Sequence, residues 1–162
     1  MVDLPRLLER LVKGEVECVL AGGFAAMVHG VSLVTRDIDV CTHFSRENLE
    51  RIHAAVSDLH PYHVMTPQKR PFEIPDGFER GLRNLYLGTD LGRVDFLGEV
   101  LGIGGYQAAF DASIGVQLDC GKIRILNRRA MITAKSAMDR PHDKIAVVEL
   151  RAIEERQAPE PQ

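Results

Sequence analysis

Hydrophobic positions at the start of the chain recur at helical spacing. Leu4, Leu7, Leu8, Leu11 and Val12 share one face, Asp3 stands ready to cap, Pro5 sits in the first turn and Gly14 closes the end. The pattern then changes: Glu15 to Ala21 is too short for a helix and rich in Val, Leu and Cys, which predicts a strand delivering Gly22 and Gly23 to the start of a short Ala-rich helix. In Asp37-Ile38-Asp39-Val40 polar and apolar residues alternate with period 2, so a strand there presents both carboxylates on one face and turns Ile38 and Val40 to the core. Ser45 caps a predicted helix to about Leu59, whose apolar face is Leu49, Ile52, Val56 and Leu59. Tyr62 to Met65 predicts a short strand. Thr66 to Gly81 is Pro-, Gly- and charge-rich and reads as a long loop carrying Lys69 and Arg70, with room for one helical turn.

Leu82 to Leu87 and Gly92 to Leu97 alternate around a turn-rich joint and predict a β-hairpin, its second strand presenting Asp95 opposite to Val94 and Phe96. A short helix over Tyr106 to Asp111 and a second hairpin, Val116 to Leu118 with Lys122 to Leu126, follow. Asn127 caps a helix to Met138, Asp139-Arg140-Pro141 breaks it, and His142 to Arg156 forms the last helix with Ile145, Val148 and Leu150 partly inward. The tail from Gln157 is expected to be disordered. These elements imply an α/β fold: a mixed, twisted sheet of about five strands with helices mainly on one face.

At 162 residues and 45% hydrophobic content the chain fits one domain with a real core, expected over residues 1–156, and has little room for a second substrate-binding domain. Net charge is −3 and Lys and Arg are scattered, which argues against a dedicated non-specific nucleic-acid binder. Cys18, Cys41 and Cys120 show no Cys-x-x-Cys spacing, so neither a disulfide framework nor a zinc site is indicated. No apolar run reaches the ~20 residues that span a bilayer, and the first residues lack a signal-peptide pattern. The expected location is the reducing cytoplasm, with no membrane partner.

The candidate chemistry centres on the two carboxylates. Unit charges ~4 Å apart repel by roughly 4 kcal/mol at an effective dielectric near 20, so a fold that fixes them side by side offsets the repulsion with a proton or a cation. Mg²⁺ is the hard, oxygen-seeking cation for that geometry. The sequence holds eleven Asp, so Asp-x-Asp alone is expected about once by chance and carries little information. Gly22-Gly23 likewise reads either as a bare strand-to-helix turn or as a place where backbone amides meet an anion. His60 and His63 lack a third ligand nearby and read as ordinary surface or strand-end residues. Gly102-Ile-Gly104-Gly105 fails as a dinucleotide fingerprint, because Gln107 stands at the third glycine position.

The combination is more specific than its parts. An apolar run, Gly22-Gly23, a short helix, Thr35-Arg36-Asp37-Ile38-Asp39-Val40 and, far downstream, Gly92-Arg93-Val94-Asp95-Phe96-Leu97 is an order that resembles the nucleotidyltransferase superfamily of the polymerase-β type. Within it the chain is similar to small bacterial members related to type IV abortive-infection toxins and to lincosamide or aminoglycoside nucleotidyltransferases. Gly22, Gly23, Ala25, His29, Gly30, Thr35, Asp37 and Asp39 match their pattern, with the glycine-to-Asp spacing at the long end. Lys135, Ala137, Arg140 and Asp143 stand where such proteins carry a helix lysine and the opening of the next helix. His142 replaces a basic residue there, and Ala146 a second acidic one.

The resemblance implies a nucleotidyltransferase-like fold and transfer of a nucleoside monophosphate from an NTP. Asp37 and Asp39 would then hold two Mg²⁺ ions, with Asp95 completing the second site or taking the proton of the acceptor hydroxyl. Gly22 and Gly23 would cradle phosphates, and Lys135, Arg36 or Arg140 would neutralise charge on pyrophosphate. The acceptor, whether small molecule, protein or tRNA, is not readable. So short a chain points to a homodimer or a partner protein, with the loop around Lys69 and Arg70 as a further candidate for acceptor contact. The alternative is a non-catalytic nucleotide-binding or antitoxin-like regulatory module of the same fold; retention of all three carboxylates favours the enzyme.

Overall fold

A computed structural model of the chain describes residues 1–156 and 159–162. Helix α1 (Leu4–Lys13) begins where the Asp3 carboxylate accepts from the Arg6 amide at 3.1 Å, and it buries Leu4, Leu7, Leu8 and Leu11. Strand β1 (Cys18–Ala21) follows, wholly buried, and runs straight into helix α2 (Gly22–Val28). Strand β2 (Asp37–Thr42) carries the alternation foreseen, with Ile38 and Val40 fully buried and Asp37 and Asp39 half-buried. Helix α3 (Arg46–Val56) is capped by Ser45, which accepts from the Asn48 amide. One buried polar residue ties these pieces together. The Asn48 side chain accepts from the Glu17 amide and donates to the carbonyls of Glu17 and His43 and to Thr42 Oγ1, so its burial leaves no polar atom unpaired.

Strand β3 (Tyr62–His63) precedes the hairpin of β4 (Asn84–Thr89) and β5 (Gly92–Leu97). A small ribbon of β6 (Glu99–Val100) and β7 (Gly104–Gly105) leads to α4 (Tyr106–Asp111), and the second hairpin is β8 (Ser113–Leu118) with β9 (Gly121–Leu126). Helices α5 (Arg128–Met138), capped by Asn127, and α6 (Pro141–Glu155) complete the described helices. The fold is mixed α+β, and over the described residues its main sheet has seven strands in the order β3-β4-β5-β2-β1-β9-β8, not about five. The larger count arises because both hairpins join one sheet. β2 pairs parallel with β5 on one side, β1 pairs parallel with β9 on the other through Val19 and Leu20, and β3 adds an edge beside β4.

Two further expectations change. The segment from Thr66 to Gly81 lacks a helix yet is pinned. Phe72 is 2% exposed and packs against the rings of His53, His63 and Phe78, while the Arg46 guanidinium donates to the carbonyls of Ile74 and Pro75. In α6 the inward face is Asp143, Ala146, Leu150 and Ile153, and Ile145 and Val148 are exposed. The helix is apolar on more than one side, so its packing against α5 selects the face. Of the tail, Gln157 and Ala158 lie outside the described residues. Beyond them, the Pro159 carbonyl and the Glu160 carboxylate accept hydrogen bonds from Arg128.

Candidate functional site

Strand alternation and strand register assemble the site. Asp37 and Asp39 project from the same face of β2, and the parallel register sets Asp95 of β5 beside Asp39 and Arg93 beside Asp37. One carboxylate oxygen from each of Asp37, Asp39 and Asp95 lies within 4.8 Å of the others, and among the described residues this is the group of three side chains arranged to hold a metal ion. Its electrostatics are uneven. Burial, then repulsion from Asp37 and Asp95, pushes the Asp39 carboxyl up to about 7, against a smaller pull from Lys135 and Arg93. Burial also raises Asp95, 7% exposed, although Arg93 grips both of its oxygens, Nε to Oδ1 at 2.7 Å and Nη2 to Oδ2 at 3.0 Å.

The Gly-Gly pair fits this floor for steric reasons. Gly22 has φ +64°, and a Cβ there would overlap the Asp39 carboxylate, so only glycine leaves that oxygen open to the cleft. A Cβ on Gly23 would press on the Thr35 side chain at 3.1 Å. Thr35 itself donates to the Asp37 backbone and carboxylate, at 3.1 and 3.2 Å, and orients that side chain.

The facing wall comes from α5 and α6. Asp143 is fully buried and binds Lys135 Nζ at 3.3 Å, Arg140 Nε at 2.6 Å and the Arg140 amide at 3.2 Å, with His142 Nε2 at 3.7 Å. Burial alone would raise the Asp143 carboxyl, but the Arg140 hydrogen bond and the Lys135 charge outweigh it and hold it below the usual carboxylate range. Lys135, 5% exposed, is thus a fixed cation rather than a solvated helix lysine.

Gly22, Gly23, Arg36, Asp37, Asp39, Asp95, Lys135 and Arg140 all line one cleft of about 820 Å³, so the residues expected to hold metal and nucleotide fall in one place. Lys69 and Arg70 do not line it; Lys69 lies over the ring of Tyr62. A second cavity of about 790 Å³, bordered by His43, Glu79, Arg83 and Tyr106, adjoins the cleft through Glu99 and Leu101, which line both. The histidines considered above stand apart: His60 pairs with Asp90 at 2.6 Å and His63 packs on Phe72. One site residue, Arg93, and the role of another, Asp143, escaped sequence reasoning. Arg93 lies two positions before Asp95, so the period of 2 that found the one places the other on the same face. The clamping role of Asp143 depends on how α5 meets α6, for which sequence holds no comparable signal.

No protein-family model and no curated protein sequence matches the chain. Among solved structures it is similar to the lincosamide antibiotic adenylyltransferase LnuA in its lincomycin-bound crystal structure, with a TM-score of 0.60 over 93% of this chain and 95% of that one at 15% sequence identity. The two chains therefore share an overall fold, and that fold is nucleotidyltransferase-like.

Proposed function

We propose that this chain is a Mg²⁺-dependent nucleotidyltransferase, moving a nucleoside monophosphate from an NTP to an acceptor hydroxyl. The observation that carries the reading is the convergence of Asp37, Asp39 and Asp95 at the floor of a cleft whose far wall holds Lys135 and Arg140. The residues fit the ion. The donors are all carboxylate oxygens, burial and mutual repulsion leave Asp39 wanting a positive partner, and Gly22 keeps its oxygen uncovered. When bound, Mg²⁺ polarises a phosphoryl oxygen and lowers the pKa of a coordinated hydroxyl.

The chain's own residues supply the rest. Asp37 and Asp39 would hold the metal, two ions being expected from the resemblance, while Asp95 completes the set or receives the acceptor's proton. The small side of Gly22 and Gly23 lets phosphates approach the backbone closely. As the acceptor oxygen bonds to the α-phosphorus and the bond to pyrophosphate breaks, charge builds on the leaving group. Lys135 and Arg140, held by Asp143, and Arg36 on the cleft wall answer it. The adjoining cavity beside Tyr106 offers the acceptor a route to the α-phosphate, and the segment from Thr66 to Gly81 reaches that cavity through Glu79. The adenylyl transfer named for the structural neighbour, and the lincomycin it holds, make ATP and a small-molecule hydroxyl the first pair to try. A homodimer or partner protein closing the cleft belongs to the same proposal.

Thermal melting with Mg²⁺ and each NTP tests the reading. A ligand at 100 times its Kd stabilises by about 2.7 kcal/mol, enough to see as a rise in Tm. The wild type should show that rise and Asp39→Asn should lose it. Equal responses from wild type, Asp37→Asn and Asp39→Asn would remove the carboxylates from the account.

A further inference from the structure

We infer that Arg93 is the internal counter-ion of the acidic triad: it holds Asp95 while the site is bare and passes to the nucleotide's phosphates when metal and nucleotide load together. The inference rests on the proposed metal site. Both oxygens of Asp95 are taken by the Arg93 fork, and the register sets Arg93 opposite Asp37 and Asp95 opposite Asp39, so one guanidinium sits among three carboxylates. A divalent cation held by the triad carries the same sign as the guanidinium and draws on the same two oxygens of Asp95 and their single charge. The two are therefore competitors.

Two other cations of the cleft are placed differently. Lys135 and Arg140 are bound to Asp143, outside the triad, so a metal ion does not displace their partner. Arg93 alone of these three is paired to a triad member. It also has room to turn once released: its side chain is 38% exposed, lines the cleft, and keeps its guanidinium carbon 5.6 Å from the centre of the Tyr86 ring. Arginine suits the exchange because its fork matches carboxylate and phosphate alike. The consequence is coupling. Metal alone binds weakly because Arg93 must be dislodged, and nucleotide repays that cost by giving the guanidinium a new anion, so each ligand tightens the other by the same factor.

The test is Mn²⁺ binding to the full chain, by electron paramagnetic resonance, with and without a non-hydrolysable ATP analogue. Wild type, Arg93→Gln and Arg93→Lys are compared, each with its melting curve. Without nucleotide, Arg93→Gln should bind Mn²⁺ about tenfold more tightly than wild type, and with Mn²⁺ it should bind the analogue about tenfold more weakly. Arg93→Lys, which keeps the charge and loses the fork, should fall between, and it decides the matter if Arg93→Gln melts early. Mn²⁺ affinity equal to or weaker than wild type in the variants overturns the inference and leaves the metal site standing. Absence of Mn²⁺ binding in all three, with or without the analogue, overturns the inference and the metal-dependent reading together.

Discussion

Replacing Asp39 by Asn should stabilise the metal-free protein at pH 8. In the folded chain the Asp39 carboxyl is pushed up to about 7, by burial first and by Asp37 and Asp95 next. In the unfolded chain it ionises near the ordinary value of about 4. The sign follows from proton counting. Between those two values the folded state holds more protons than the unfolded one, so this group's contribution to stability is greatest below pH 4 and is lost as pH rises through 7. A gap of about three pH units corresponds to a folding cost on the order of 4 kcal/mol at pH 8. Asparagine is close to the same shape, carries no charge, and is spared that cost. The assay is urea unfolding of wild type and Asp39→Asn in EDTA at intervals from pH 5 to pH 9. The difference between them should grow in favour of the variant from pH 5 to about 7, level off above that, and reach about 2 to 4 kcal/mol. A difference that stays flat with pH, or a variant several kcal/mol less stable at pH 8, would refute the picture of an uncompensated buried carboxylate.

Asp143→Ala strands the buried Lys135 without its partner and should cost about 3 to 5 kcal/mol in chemical denaturation at pH 7; because Asp143 is held low, the wild type's advantage should fade as pH drops below about 4. Gly22→Ala forces a side chain onto the Asp39 carboxylate in a left-handed backbone, so it should lose the Mg-NTP rise in Tm and about 1 to 3 kcal/mol of stability by urea titration. Phe72→Ala, outside the lining of the cleft, should cost about 3 to 5 kcal/mol by the same titration. Deleting Gln68 to Asp76, which removes Phe72, should therefore lower Tm as well as impair transfer.

Features with a short sequence range were the legible ones. The period of 2 in Asp37-Ile38-Asp39-Val40 told which face each side chain takes, and the caps at Asp3, Ser45 and Asn127 are local hydrogen bonds that the structure shows at those residues. What stayed hidden depends on partners far along the chain. The parallel pairing of β1 with β9 joins residues about a hundred positions apart, and nothing near Val19 announces Arg124. Phe72 stands in a stretch that reads as a polar loop, and the rings of His53, His63 and Phe78 around it make it a core residue. Asp143 read as the opening of a helix, whereas its burial between Lys135 and Arg140 follows from the angle at which α6 returns over α5. Arg93 could be placed on the right face, but an ion pair two residues apart on one strand is indistinguishable in sequence from a solvated charge pattern.

Whether the triad serves nucleotidyl transfer is tested by supplying the protein with each of the four NTPs labelled at the α-phosphate, Mg²⁺ and a cell extract as the acceptor source. Wild type should transfer label from at least one NTP to a discrete product, with pyrophosphate released in step, and both Asp37→Asn and Asp39→Asn should leave the label in the nucleotide. Label moved equally well by Asp39→Asn, or by no NTP in the presence of Mg²⁺ and extract, would contradict the account.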